Sequence, residues 1–222
     1  MYDSTGVDGG VPSATLIQPR LGKQMTGGAT MEPYPDWLSA TLASDGSEGR
    51  GVLPPWIRAL WPDRRVVGPA FVVQASQDDN AAVVQAVATP PPPGCVLVVG
   101  GQNTSRTATI GGLMALEICN LRVAALVTDG LVRDAQEIRQ LGLPVWCRGV
   151  TPTASNKRGP SAVGGTVLIG GALVRDGDLV IADDDGVVIW PAADYQQLLG
   201  GAQAKLDSDN ARLARLRQNQ GR

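Results

Sequence analysis

The stretch Ala124-Ala125-Leu126-Val127-Thr128-Asp129-Gly130-Leu131-Val132-Arg133-Asp134-Ala135-Gln136-Glu137-Ile138-Arg139-Gln140-Leu141-Gly142-Leu143-Pro144-Val145-Trp146-Cys147 decides the fold class. Residues 124–127 form a short apolar run suited to a buried strand. Residues 135–141 are helix formers that stop at Gly142, a helix-ending residue, and 144–147 read as a second strand. Strand, helix and strand in so short a span predict an α/β domain.

The alternation extends outward on both sides. Upstream, 95–99 is a buried strand followed by glycines, and 111–121 reads as a helix. Residues 79–88 form a helix with an acidic start, ended by Pro90-Pro91-Pro92-Pro93. Residues 66–73 are β-branched and apolar, with Gly68-Pro69 pointing to a bulge or an edge position. Downstream of a polar loop at 151–159, runs at 166–169, 179–182 and 187–190 read as strands separated by Gly-Asp turns. Asp183-Asp184-Asp185-Gly186 lacks the spaced ligands of a calcium loop and reads as one of those turns. Residues 192–218 form a polar amphipathic helix with an expected break near Gly200-Gly201. Residues 35–63 suit short helices and loops, and 1–35, rich in Gly, Ser, Thr and Pro, read as a flexible arm. No internal repeat is visible. The expectation is one α/β domain over 36–222, with a mixed sheet and a projecting C-terminal helix.

Composition narrows the chemistry. The chain has 222 residues, a net charge of −2 and only 18% charged residues. That gives no basic footprint for nucleic acid or an anionic membrane, and it suits a surface partly covered by other subunits. The start, Met1-Tyr2-Asp3-Ser4, is unlike a signal peptide, and three cysteines inside apolar segments read as reduced core thiols. The expected location is cytoplasmic. Histidine is absent altogether. Ser-His-Asp and Cys-His catalysis and the common zinc sites are therefore excluded. Chemistry must rest on carboxylates, arginine or lysine, backbone amides, or a metal bound through oxygen.

Two segments carry such groups. Asp134 and Glu137 stand three apart at a helix start, where their side chains face the same way. They read either as a capping box, with Asp134 at N-cap and Glu137 at N3, or as two oxygen ligands for magnesium. Arg133 beside them offers a forked donor for a carboxylate or an enolate oxygen, or a surface ion pair. In Thr109-Ile110-Gly111-Gly112-Leu113-Met114 a glycine-rich loop runs into a helix and leaves amides free for an anion. Neither a dinucleotide fingerprint nor a Walker A sequence occurs. The cationic loops 148–152 and 156–159 read as solvated loops or as the entrance for an acidic substrate.

With these residues in view, the chain resembles the 4-hydroxy-4-methyl-2-oxoglutarate aldolases and the related regulators of ribonuclease activity A. The resemblance runs over about 49–217. It rests on Val66-Val67-Gly68-Pro69-Ala70-Phe71, Gly111-Gly112-Leu113-Met114, Asp129-Gly130-Leu131-Val132-Arg133-Asp134, Arg148-Gly149-Val150-Thr151-Pro152 and the run from Gly177-Asp178 to Gly186-Val187. Family aldolases carry either an aspartate twenty-one positions before the arginine, or glycine there with an acid three after the aspartate. Gly112, Arg133, Asp134 and Glu137 match the second pattern.

The resemblance implies a compact α/β sandwich of the swivelling β/β/α kind, assembled as trimers or hexamers with sites between subunits. It implies Mg2+ (or Mn2+) held by Asp134 with help from Glu137. A 2-oxo acid substrate would have its carboxylate on amides near Gly111, Gly112, Leu113 and Met114, and its enolate oxygen on Arg133. Without histidine, a water held by Arg133 or by the metal is the expected proton carrier. A neighbouring subunit is expected to bring an acid from its C-terminal helix, here Asp207 or Asp209. The implied function is a metal-dependent lyase, a class II pyruvate aldolase or oxaloacetate decarboxylase. The competing readings are a scaffold turned to another lyase, isomerase or cyclisation reaction, and a non-catalytic ribonuclease-regulating protein. The loop Gln102-Asn103-Thr104-Ser105 departs from the family pattern and suits a specialised substrate.

Overall fold

The computed structural model describes residues 34–160 and 162–219, so the expected arm falls, except for its last two residues, outside the described residues. Helix α1 spans Ala40–Gly46, followed by β1 (Arg58–Ala59), β2 (Val66–Gln74) and α2 (Ala81–Ala88). Next come β3 (Val96–Gly100), β4 (Ala108–Ile110), α3 (Gly112–Asn120), β5 (Ala125–Thr128), β6 (Leu131–Val132) and α4 (Ala135–Leu141). Then follow β7 (Val145–Cys147), β8 (Gly149–Val150), β9 (Ala162–Val163), β10 (Thr166–Ile169), β11 (Ala172–Arg175), β12 (Leu179–Asp183), β13 (Gly186–Trp190) and α5 (Tyr195–Asn219).

The main sheet runs β1-β7-β5-β3-β2-β12-β13, with β9 also on β2. Its centre, β7-β5-β3-β2, is parallel, and β1, β12 and β13 join antiparallel. The expected mixed α/β fold is therefore present. The two edges approach each other through one segment. Gly51 and Leu53 exchange backbone hydrogen bonds with β13, and a few residues later Leu60 donates to Val145 of β7.

Strict alternation in the strands explains the layers. On β3, Val96 and Val98 point into an inner core with Val72, Val127, Trp146, Val180 and Ile189, while Leu97 and Val99 face Val83, Ile118 and Ile138 of the three short helices. On β12, Val180 and Ala182 join the inner core, and Leu179 and Ile181 pack under α1 and α5. Each such fully buried aliphatic side chain contributes roughly 2 kcal/mol. Buried on both faces, these strands read as continuous apolar runs.

Two expectations need correcting. Strand β2 carries no bulge and lies inside the sheet, but Gly68-Pro69 pairs on one side only: residues 66–69 pair with β12 and 70–74 with β3. Pro69 stands where the pairing changes partner. Gly68 allows a close approach, since a Cβ there would lie 3.1 Å from the Gly94 carbonyl oxygen. Nor is α5 broken at Gly200-Gly201. Gly201 lets the helix rest on α1, since an added Cβ would lie 2.7 Å from the Gly46 oxygen. The C-cap Gly142 (φ 75°) and the turn at Asp183–Gly186 fall as expected.

A structural repeat does exist. After β3, β5 and β7 come the short strands β4, β6 and β8, which form a parallel sheet of their own, and α3 and α4 follow the first two. This ββα pattern places the starts of α3 and α4 side by side. All three cysteines are free, and burial pushes the Cys95 and Cys147 thiols up to about 11, as expected of inert core thiols. No described helix is long and apolar enough to cross a membrane.

Candidate active site

Ile110 pairs with Val132 in the short sheet, and Arg133 N–H donates to the Ile110 carbonyl at 3.0 Å. The residues that follow, Gly111-Gly112 and Arg133-Asp134, therefore lie against each other. Asp134 takes a left-handed backbone (φ 56°, ψ 41°) and its side chain makes no cap on α4. The capping-box reading is thus not realised. Instead Asp134 Oδ2 accepts from Gly112 N–H at 3.0 Å, at the start of the neighbouring helix, with Arg133 Nε 3.5 Å away.

The two glycines make room for these side chains. A Cβ on Gly111 would lie 2.6 Å from Asp134 Oδ2 and 2.8 Å from Arg133 Nε, and one on Gly112 would collide with Glu137 Oε2. Asp134 and Glu137 thus each occupy the space above one glycine. Both are exposed, and Glu137 accepts no hydrogen bond from the described residues. The N-cap residue of α3, Gly111, has no side chain to cap the helix. Gly112 N–H is taken by Asp134, which leaves the Leu113 and Met114 amides for an anion. Leu113 is 82% exposed beside them, while Met114 packs on the core.

The remaining expected residues are placed elsewhere or engaged. Asp207 accepts from Gln203 and Asp209 from Lys205 along α5, which packs chiefly on α1. Arg148 donates to the Ser105 carbonyl. Asp129, inside the quoted motif, is buried and braces the turn after β3 by accepting from Gln102 N–H at 2.8 Å; burial pushes its carboxyl up.

Sequence reasoning missed the brace formed by Asp78, Asp79 and Asn80, visible only as an acidic helix start. Asp79 accepts from the N–H groups of Ala81, Arg158 and Gly159 at 2.7–2.8 Å, which ties the 156–159 loop to α2. Burial acts to raise its carboxyl, but the three donors outweigh it and hold the group below the ordinary value. This support is full above the unfolded value of about 3.9 and is lost as pH falls through the lower folded one. Asp79→Ala should cost about 3 kcal/mol, read as a Tm drop of roughly 6–12 °C at pH 7. The gap from wild type should begin to narrow as pH falls below about 4.

Comparison with known proteins places the chain in a family. The RraA-like (Aldolase/RraA) family model matches residues 40–189. A Halalkalibacterium halodurans protein named as a candidate 4-hydroxy-4-methyl-2-oxoglutarate aldolase is 33% identical over 79% of this chain and 83% of its own. An Albidiferax ferrireducens protein of the same designation is 34% identical over 66% of this chain and 88% of its own. The crystal structure of Streptomyces coelicolor RraAS2, described as an unusual member of the RNase ES inhibitor RraA family, is 30% identical. It has a TM-score of 0.68 and covers 81% of this chain and 93% of that one. The chain belongs to the RraA-like family, whose members include named aldolases, and it shares their mixed α/β fold.

Proposed function

We propose that the chain is a divalent-metal-dependent lyase that breaks the carbon–carbon bond next to the pyruvate unit of a 2-oxo acid. The reaction is retro-aldol cleavage of the 4-hydroxy-4-methyl-2-oxoglutarate type, oxaloacetate decarboxylation, or both. The observation that carries the reading is the placement of Asp134 and Glu137 above adjacent glycines at the start of α3, with Arg133 alongside.

The donor set fits a magnesium or manganese ion. Two exposed carboxylates are hard oxygen donors, and magnesium takes one or two of these and keeps several waters. Among the described residues of one chain no cluster of three or more such side chains exists; Asp134 and Glu137 would be this chain's share of the shell. What the ion supplies when bound is Lewis acidity toward the 2-oxo oxygen.

The chain's own groups do the rest. The Leu113 and Met114 amides and the helix dipole receive the substrate carboxylate. Arg133 donates to the oxygen that gains charge as the bond breaks. In the aldol case the electron pair stays on the pyruvate carbon and the departing carbonyl loses its hydroxyl proton. In decarboxylation CO2 leaves. Both pass through the pyruvate enolate, which is then protonated on carbon, so one site serves both. The exposed Leu113 and the free outer turns of α5 favour a homotrimer or homohexamer with this site at the subunit interface.

A second reading, a ribonuclease-regulating protein without catalysis, is favoured by the description of the Streptomyces coelicolor structure. A coupled pyruvate assay separates the two. Oxaloacetate and 4-hydroxy-4-methyl-2-oxoglutarate should each be tried with magnesium and with a chelator. Magnesium-dependent pyruvate release is the expected result. No release from either, together with inhibition of a ribonuclease, would establish the second reading; no release and no inhibition would point to a different reaction on the same scaffold.

A further inference from the structure

Three polar side chains, each more than nine-tenths buried, turn an oxygen toward no partner: Asn80 Oδ1, Gln102 Oε1 and Thr109 Oγ1. Contacts gather them into one place. Asn80 Nδ2 donates to the Thr109 carbonyl at 3.0 Å, and Gln102 Nε2 donates to the carbonyls of Ser76 and of Asp79, the residue before Asn80. Thr109 Oγ1 and the Gln102 Cβ both pack directly on Gly130, where an added Cβ would collide with the first and lie 2.7 Å from the second.

The orientation of both amides is dictated by these bonds. Their nitrogens are claimed by main-chain carbonyls, so flipping either would set oxygen against oxygen. Asn80 and Gln102 therefore offer only acceptors, while the Thr109 hydroxyl has one proton to give. Leaving such groups unpaired inside the protein costs about 1–3 kcal/mol each. A partner that donates twice and accepts once satisfies all three, and water does this; buried waters typically make about three hydrogen bonds.

We propose that one internal water is bound at this place, donating to Asn80 Oδ1 and Gln102 Oε1 and accepting from Thr109 Oγ1. It joins the start of α2, the turn after β3 and strand β4, whose last residue leads into Gly111-Gly112. It explains why a glutamine from the departing 102–105 loop is fully buried.

The test is a high-resolution crystal structure of the full chain with melting curves in sodium, potassium and choline chloride. The expected result is a single peak roughly 2.7–3.0 Å from all three oxygens, with Tm independent of the cation. Thr109→Val should lose the peak and lower Tm by roughly 3–8 °C, while Thr109→Ser keeps the peak. A Tm that follows the choice of cation would overturn the proposal in favour of a monovalent-ion site. Absence of a peak, with the three side chains paired among themselves, would overturn it outright. Should Thr109→Val not fold, the wild-type and Thr109→Ser structures decide the matter.

Discussion

Asp134→Asn should lower turnover roughly a thousandfold while leaving the melting temperature within a few degrees of wild type. The reason lies in the backbone. Asp134 stands at φ 56°, ψ 41°, a region that costs most residues about 1 kcal/mol or more but that Asn tolerates. Asparagine also keeps an oxygen for the Gly112 N–H, so the contact between the starts of α3 and α4 survives. What disappears is the negative charge and with it a hard anionic donor. Alanine is the poorer probe, since it adds backbone strain and an orphaned amide. Purified Asp134→Asn, assayed for pyruvate release beside its melting curve, checks both halves. Unchanged turnover in a folded variant would remove Asp134 from the chemistry.

The second large effect is a rescue. A Cβ on Gly112 points straight into the Glu137 carboxylate, so a carboxylate built from position 112 would occupy the space that Glu137 fills from α4. Gly112→Asp alone brings two like charges together and should displace Glu137, with turnover falling about a hundredfold or more. Glu137→Ala alone removes the acid that completes the pair, at a cost of about 10–100-fold. Gly112→Asp combined with Glu137→Ala should return turnover to within about tenfold of wild type, because one carboxylate again stands in that space. Residues in contact depart from additivity in this way. If turnover in the double variant equals the product of the two single losses, positions 112 and 137 do not share a role.

Much of the fold was legible because its central strands are buried on both faces. Residues 95–99, 124–127 and 144–147 read as uninterrupted apolar runs, and Gly142 marked the end of α4. The short strands β4, β6 and β8 were not legible, since two or three residues carry no period. Yet they bring Gly111-Gly112 to Arg133-Asp134. Gly200-Gly201 misled for a different reason: the glycine serves the contact with α1, which no local pattern reveals. At the candidate site the residue set came from motif resemblance. Local spacing left Asp134-x-x-Glu137 open between cap and ligand. The left-handed Asp134, reaching across to Gly112, decides against the cap and is a tertiary fact. The Asp79 brace was hidden because its partners, Arg158 and Gly159, lie far along the chain.

The most direct single measurement is titration of manganese into the full chain, followed by electron paramagnetic resonance, with oxalate present as a mimic of the pyruvate enolate. One site per chain is predicted for wild type, weakened about 10–100-fold in Glu137→Gln and absent in Asp134→Asn. Undiminished single-site binding in both variants, or none in the wild type, would contradict a metal held by Asp134 and Glu137 beside Gly112.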